Sequence, residues 1–246
     1  IAGDGDMQEG VTAEAASLAG HQKLGNLVVI YDSNQISIED DTDISFTESV
    51  NDRYQAYGWH TQTVDWKKTG NYVEDVAELY AAIERAKAET DKPSLIILRT
   101  IIGWPSPKKQ NSGKIHGAAL GAEELAGLKT ALGFDPEKTF DVAPEVIAHT
   151  RGFQKHADQV RAQWQASFDA WASENADAKK LLDRVVSGKA PAELESALPK
   201  FEGGTEVSTR AASGKVINGI AAVMPELWGG SADLAESNLT TINGAK

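Results

Sequence analysis

No cysteine occurs in the 246 residues, so disulfides and thiolate metal sites are excluded, and a cytoplasmic location is expected. Basic residues are outnumbered, 24 Lys and Arg against 36 Asp and Glu, for a net charge of −12. That field repels nucleic acid and anionic lipid headgroups, and neither is an expected partner. No apolar run exceeds a strand's length, which leaves no candidate membrane span or signal peptide. An initiator Met is also missing. Ile1-Ala2 reads as the end of a strand, and the sequence stops in the loop-like Asn243-Gly244-Ala245-Lys246, so an internal fragment of a longer polypeptide is expected.

Several nucleotide and metal signatures are absent too. A dinucleotide fingerprint starting at Gly3 and Gly5 fails because its third glycine falls on Gln8. An EF-hand starting at Asp4 and Asp6 fails at the same residue, and its glycine comes late. Gly214-Lys215 is followed by Val216, so no phosphate loop of the GxxxxGK[ST] type is present.

What remains is organised around residues 1–40. Val11 to Gln22 carries Ala15, Leu18, Ala19 and Gln22 at helical spacing, and Leu27 to Tyr31 reads as a buried parallel strand. The order is strand end, polar Gly3-Asp4-Gly5, helix, strand, polar Asp32-Ser33-Asn34-Gln35-Ile36. In a parallel sheet both polar segments then lie at carboxyl ends of strands, where open α/β sheets bind ligands, and Asp4 can face Asn34. A carboxylate, an amide oxygen and a backbone carbonyl form a hard, all-oxygen set. It is too small for a calcium cage but suits magnesium, which takes its remaining ligands from substrate phosphates and water. Gly3 and Gly5 allow a bulky anion to approach the backbone, and the following helix offers free N–H groups. The predicted ligand is a diphosphate carrying its own metal.

Further along, Asp52–Gly58 and Asn71–Thr90 read as helices, the latter with Val73, Val76, Leu79, Tyr80 and Ile83 on one face. Trp59–Trp66 and Ser94–Thr100 read as strands. Alternating β and α segments predict an α/β fold, a doubly wound parallel sheet. Residues 100–121 form a long loop, in which Gly113 and Gly117 bracket Lys114-Ile115-His116. Gly121–Leu132 and Pro144–Asn175 are helical, the second anchored in a core by Trp164, Phe168 and Trp171. Lys179–Val186, Pro191–Leu198 and a helix through Val223 that is capped at Ser208 follow, and Glu226–Gly230 reads as the first strand of another sheet.

Gly3-Asp4-Gly5 with Asn34 resembles the thiamine diphosphate motif. GDGDMQEG, YDSNQISIED, GKIHGAALGAEEL and WGGSADLAESNLT together resemble transketolase of the bacterial type, over nearly the whole chain. The resemblance implies a thiamine diphosphate-binding fold incomplete at both ends. Its diphosphate-binding domain would span 1–174, a helical interdomain linker 175–205, and the start of a pyrimidine-binding α/β domain 206–246. It implies a pentose phosphate pathway transferase that moves a two-carbon ketol unit from a ketose phosphate to an aldose phosphate. Asp4, Asn34 and the Ile36 carbonyl would hold Mg2+, with Ca2+ or Mn2+ as substitutes. Gly3, Gly5, Glu9, Asn34, Ile36, Ile38 and His116 would bind the cofactor, and Asp32 would orient the Asn34 loop. Asp233 and Leu234 would contact the cofactor of the partner subunit in a homodimer. His116, on a loop that closes over the diphosphate, is the catalytic candidate and with Arg210 and Ser237 binds substrate. The glutamate that activates the cofactor has no counterpart here, so the fragment alone is expected to be inactive and to need the missing segments of its enzyme. Dihydroxyacetone synthase, phosphoketolase and a non-catalytic binding homologue remain as alternatives.

Overall fold

Residues 1–245 are described by a computed structural model, which divides into one compact unit over Ile1–Asp141 and a second from Val142 onward. The first contains α1 (Asp4–Gln8), α2 (Gly10–His21), β1 (Val28–Ser33) and a short hairpin of β2 (Ile36–Ser37) and β3 (Asp40–Asp41). It continues with α3 (Val50–Ala56), β4 (His60–Asp65), α4 (Val76–Ala88), β5 (Ser94–Arg99) and α5 (Ala122–Ala131).

Three strands pair in parallel in the order β1-β5-β4, with Val28 and His60 both opposite Ser94. Ala2 adds a parallel bridge to Tyr31 on the free side of β1, through Ala2 N–H to Ile30 O and Asp32 N–H to Ala2 O, both 2.9 Å. This sets Gly3-Asp4 at the carboxyl end of the sheet beside Asn34. Ser94 to Leu98 is buried throughout, as a central strand covered on both faces must be. Leu95 and Ile97 join Met7, Ala16, Ala19, Tyr31, Val50, Tyr54 and Trp59 on one face, while Ile96 and Leu98 join Val64, Ala82 and Ala86 on the other. Each fully buried Leu or Ile contributes about 1.5–3 kcal/mol. The doubly wound arrangement read from the sequence is present.

Two helix faces differ from expectation. In α2 the sheet side is Ala16 and Ala19, not Ala15, Leu18 and Gln22; Leu18 is 59% exposed. The cause is close approach. A Cβ on Gly20 would lie 1.9 Å from Tyr57 O, so the helix docks through small residues rather than large ones. In α4 the Asp75 side chain accepts the Glu78 N–H at 2.9 Å, so the helix starts at Val76 and Val73 falls outside it. Ala82 and Ala86, flanked by Leu79 and Ile83, then form the packed stripe, leaving Val76 and Tyr80 exposed.

The second unit is helical: α6 (Pro144–Glu174), α7 (Ala176–Val186), α8 (Leu194–Ala197), α9 (Thr209–Val223) and α10 (Ala235–Asn238). The division at 141/142 falls ahead of the expected domain edge at residue 174, because α6 groups with the helices after it. No residue of α6 is buried, and Trp164, Phe168 and Trp171 are not core anchors. They stack along the helix instead, with Arg161 over Trp164 and Lys179 of α7 over Phe168. Ser208 caps α9 as expected, accepting the Ala211 N–H. Glu226–Gly230 is not a strand. A strand needs a neighbour for its backbone groups, and none lies beside it among the described residues. No helix among the described residues is long and apolar enough to cross a membrane.

Candidate functional site

Glycine at position 3 caps α1, and Asp4 is the first helical residue, its side chain turned into the protein. The Asp4 carboxylate is buried and has three donors. Tyr31 O–H donates to Oδ1 at 2.6 Å, and the N–H groups of Asn34 and Gln35 donate to Oδ2 at 3.1 and 2.9 Å. The two polar segments therefore meet, as the sequence predicts. Burial, and then the hydrogen bond to the Asp4 carboxylate, push the Tyr31 phenol far above its ordinary value, so it stays a donor.

Asn34 is also buried, and its Oδ1 accepts the Ile36 N–H at 3.0 Å. The hairpin orients the third oxygen. Thr42 N–H donates to Gln35 O, and Ser37 lies opposite Asp40, which makes Ile36 and Asp41 the non-hydrogen-bonded pair. The Ile36 N–H and C=O accordingly point away from β3, on the side of the Asn34 side chain. Gln35 reaches this turn with φ +65°, in the left-handed region. A carboxylate, an amide oxygen and a carbonyl are thus supplied by α1, the β1 loop and β2, a donor set that suits a small hard cation completing its shell from phosphate and water. Among the described residues no three His, Cys, Asp or Glu side chains cluster as metal ligands, so a cation here relies on neutral oxygens beside its one carboxylate.

The expected free N–H groups differ in position. A separate short helix, α1, occupies what reads as loop, and Glu9, exposed and extended at ψ 133°, breaks it from α2. The first-turn N–H groups are those beginning at Asp4. A Cβ on Gly5 would meet nothing within 4 Å, so open space lies over that backbone. Asp4, Tyr31, Ser33 and Gln35 also line one wall of a cleft of about 430 Å³ at the carboxyl ends of β1 and β5, which Arg99 and Glu48 help complete.

Ile38, at the hairpin tip, is 72% exposed and available to an apolar ligand face. His116 is exposed at the end of a 3-10 turn over Gly113–Ile115. The loop bearing it is ordered by two carboxylates that sequence reasoning missed. Glu124, buried in the first turn of α5, accepts the Ser106 hydroxyl and the N–H groups of Lys108 and Lys109, the latter two at 2.7 and 3.0 Å. The Ser106 hydroxyl, then the Lys108 N–H, hold its carboxyl below the ordinary 4.5. Asp40 takes the Gly113 N–H at 2.8 Å. Asp32, expected to orient the Asn34 loop, accepts the Thr100 hydroxyl and so ties the end of β1 to the residue that follows β5.

The other predicted residues lie in the second unit. Arg210 is the second residue of α9 and is exposed; no ion pair among the described residues includes it. Asp233 and Leu234 precede α10 and Ser237 lies within it, all three exposed. Ala211 and Glu236, the chain neighbours of Arg210 and Ser237, line a cleft of about 660 Å³ together with Lys215 and Asn218.

Comparison with known proteins adds an independent line. The family model described as "Transketolase, thiamine diphosphate binding domain" matches residues 1–191. The chain is 52% identical to the transketolase of Mycobacterium tuberculosis over 246 residues, which is all of this chain and 34% of that protein. It is 44% identical to the transketolase of Geobacillus stearothermophilus over 245 residues, 99% of this chain and 36% of that one. A crystal structure of transketolase from Pichia stipitis in complex with sedoheptulose-7-phosphate superposes with a TM-score of 0.88 at 40% identity, covering 98% of this chain and 35% of the other. Transketolase from Leishmania mexicana gives 0.88 at 38% identity, covering 97% and 34%. The chain spans about a third of the length of these relatives.

Proposed function

From the premise that this chain belongs to the transketolase family, through its thiamine diphosphate-binding domain, we propose that it supplies the diphosphate- and metal-binding part of a transketolase. The complete polypeptide would transfer a two-carbon ketol unit from a ketose phosphate to an aldose phosphate. The observation that carries this reading is the Asp4 carboxylate, buried and bonded to the backbone of the Asn34 turn, where Asn34 Oδ1 in turn accepts the Ile36 N–H.

In this assignment Asp4, Asn34 and the Ile36 carbonyl hold Mg2+, for which Ca2+ or Mn2+ can stand in. Thiamine diphosphate supplies the carbanion chemistry when bound; the protein's part is orientation and electrostatics. Asp4 fixes the cation that neutralises the diphosphate, and its three donors keep the carboxylate in place before the cation arrives. Gly3 and Gly5 leave the backbone open to the anion, Ile38 offers an apolar surface to the rings, and Glu9 stands on the exposed side near the partner subunit. His116 would donate to oxygen atoms of the diphosphate and of the sugar, and would stabilise charge on the donor's oxygens. We assign the metal and diphosphate half to residues 1–174, an interdomain linker to 175–205 and the start of a pyrimidine-binding domain to 206–246. In that last segment Arg210 and Ser237 hold the sugar phosphate, Arg with the planar fork that phosphate favours, and Asp233 and Leu234 reach the cofactor of the other subunit of a homodimer. A cytoplasmic location goes with this activity.

Binding calorimetry on the complete polypeptide tests the proposal. Thiamine diphosphate is expected to bind only with a divalent cation present, and ketol transfer from fructose-6-phosphate to an aldose phosphate to depend on both. Cation-independent cofactor binding, or none, overturns it.

A further inference from the structure

We infer that Asp40 is a positioning residue that locks the hairpin carrying Ile36 to the loop carrying His116, an inference that rests on the role given to His116 above. Asp40 has φ +98°, a backbone conformation that residues with a side chain rarely adopt and that persists only where the surroundings enforce it. The Ser37 hydroxyl donates to Asp40 O at 3.2 Å and closes the turn, and Asp40 Oδ1 accepts the Gly113 N–H at 2.8 Å.

The hairpin and the loop also touch backbone to backbone. A Cβ on Gly113 would lie 2.9 Å from Ile38 O, 3.0 Å from Asp40 N and 3.1 Å from Ser37 O, so only glycine fits at this contact. From Gly113 a single 3-10 turn leads to His116, whose N–H returns to Gly113 O at 3.0 Å. On its other side, the turn rests Ile115 against Gly103, and Glu124 holds the loop's base at Ser106, Lys108 and Lys109. Asp40 is thus the side chain that joins the tip of the His116 loop to the segment that supplies the Ile36 carbonyl and, through the Ile36 N–H, engages Asn34 Oδ1. Physical adjacency of this kind becomes coupling only if one side biases the other, which a mutant cycle measures.

Asp40→Gly suits the test, because glycine adopts this φ freely and the change removes the side chain without straining the backbone. In hydrogen exchange on this chain without cofactor, Asp40→Gly should speed exchange of the Gly113 amide about tenfold, the scale of one hydrogen bond to a charged acceptor. Asp40→Asn, which keeps a side-chain oxygen, should retain most of the protection. Unchanged exchange in Asp40→Gly overturns the lock. In the complete polypeptide, Asp40→Gly should lower kcat about tenfold, the rate equivalent of misplacing one charged hydrogen bond, and weaken binding of thiamine diphosphate with Mg2+ as well, because His116 also holds the diphosphate. Placed on His116→Ala, it should cause no further loss. A slow His116→Ala on which Asp40→Gly adds its full effect overturns this inference alone; a wild-type rate for His116→Ala overturns the role of His116 and the inference with it.

Discussion

Replacing Asp4 separates two duties, the proposed one of cation ligand and the observed one of acceptor that closes the Asn34 turn. Asp4→Ala removes the partner of three donors at once. The Asn34 N–H and the Tyr31 O–H are buried and lose about 1–3 kcal/mol each, whereas Gln35 is exposed and can turn to water, for a total of about 2–6 kcal/mol. Asp4→Asn keeps the shape. Its amide oxygen accepts both N–H groups, and its NH2 donates to the Tyr31 oxygen, which can accept as well as donate. The charge-assisted bonds to Oδ2 become neutral and the Tyr31 O–H loses its acceptor, offset in part because burying an amide costs less than burying a carboxylate, so stability should fall by about 1–3 kcal/mol, less than in Asp4→Ala. The cation, however, loses its one anionic ligand, and affinity for thiamine diphosphate in the presence of Mg2+ should fall on the order of a hundredfold or more, beyond what loss of a supporting group costs. Urea unfolding followed by tryptophan fluorescence measures the first effect, and calorimetry on the complete polypeptide the second. Cofactor affinity within twofold of wild type in a folded Asp4→Asn would refute the ligand assignment; an Asp4→Ala as stable as wild type would refute the hydrogen-bond reasoning.

Other changes probe the surroundings of that carboxylate, the second unit and the long loop. Tyr31→Phe deletes the donor to Asp4 Oδ1 and should weaken Mg2+-dependent cofactor binding about tenfold, in the range found for groups that orient metal ligands; calorimetry showing no change removes Tyr31 from the site. Arg210→Ala should raise KM for phosphorylated sugars about tenfold or more while leaving unphosphorylated acceptors nearly unaffected. Equal changes for both substrates in steady-state kinetics exclude it from the phosphate site. Glu124 gives the long loop a pH dependence whose sign follows from its depressed carboxyl. The loop contacts it makes are fully present above the ordinary glutamate value of 4.5, weaken as pH falls below that value, and are lost beneath the lower folded one. Limited proteolysis within residues 100–121 should therefore accelerate with acid in wild type and be pH-independent in Glu124→Gln, measured with an acid-active protease corrected for its own pH profile. Acid sensitivity that survives in Glu124→Gln locates the titrating group elsewhere.

The parts of the fold that could be read from sequence are those where large residues do the packing. Leu95–Leu98 is a continuous apolar run because both faces of a central strand are covered, and β1, β4 and β5 all appear where the pattern places them. Helix faces were less legible where the contact uses small residues. Ala16, Ala82 and Ala86 give almost no hydrophobic signal, yet with Ala19 they are the buried side, because Gly20 brings α2 against the Tyr57 backbone and α4 packs on Ile96 and Leu98 through its alanines. Larger residues such as Leu18, Val76 and Tyr80 dominate the pattern and face outward. The aromatic row of α6 misled in the same way, since helical spacing is equally compatible with rings stacking on one another along an exposed surface.

A similar division runs through the site. Asp4 and Asn34 were legible because polar residues that interrupt apolar segments at strand ends have few structural uses, and parallel pairing of Ala2 with β1 brings the two ends side by side. Tyr31 was not, because a tyrosine in an apolar strand reads as core, which it also is; only coordinates reveal that its hydroxyl is spent on Asp4. Asp40 and Gly113 are separated by 73 positions, and neither shows any local pattern that anticipates the other. Residues proposed to face the ligand are thus visible to sequence through their chemistry, while the residues that hold them are visible only through contacts between segments far apart in the chain. If that distinction is physical, substitutions at Tyr31, Asp40 and Glu124 should alter affinity, kcat or pH response while leaving the identity of the bound metal and cofactor unchanged, and a substitution there that changed which cation is bound would show that the line between ligand and support has been drawn in the wrong place.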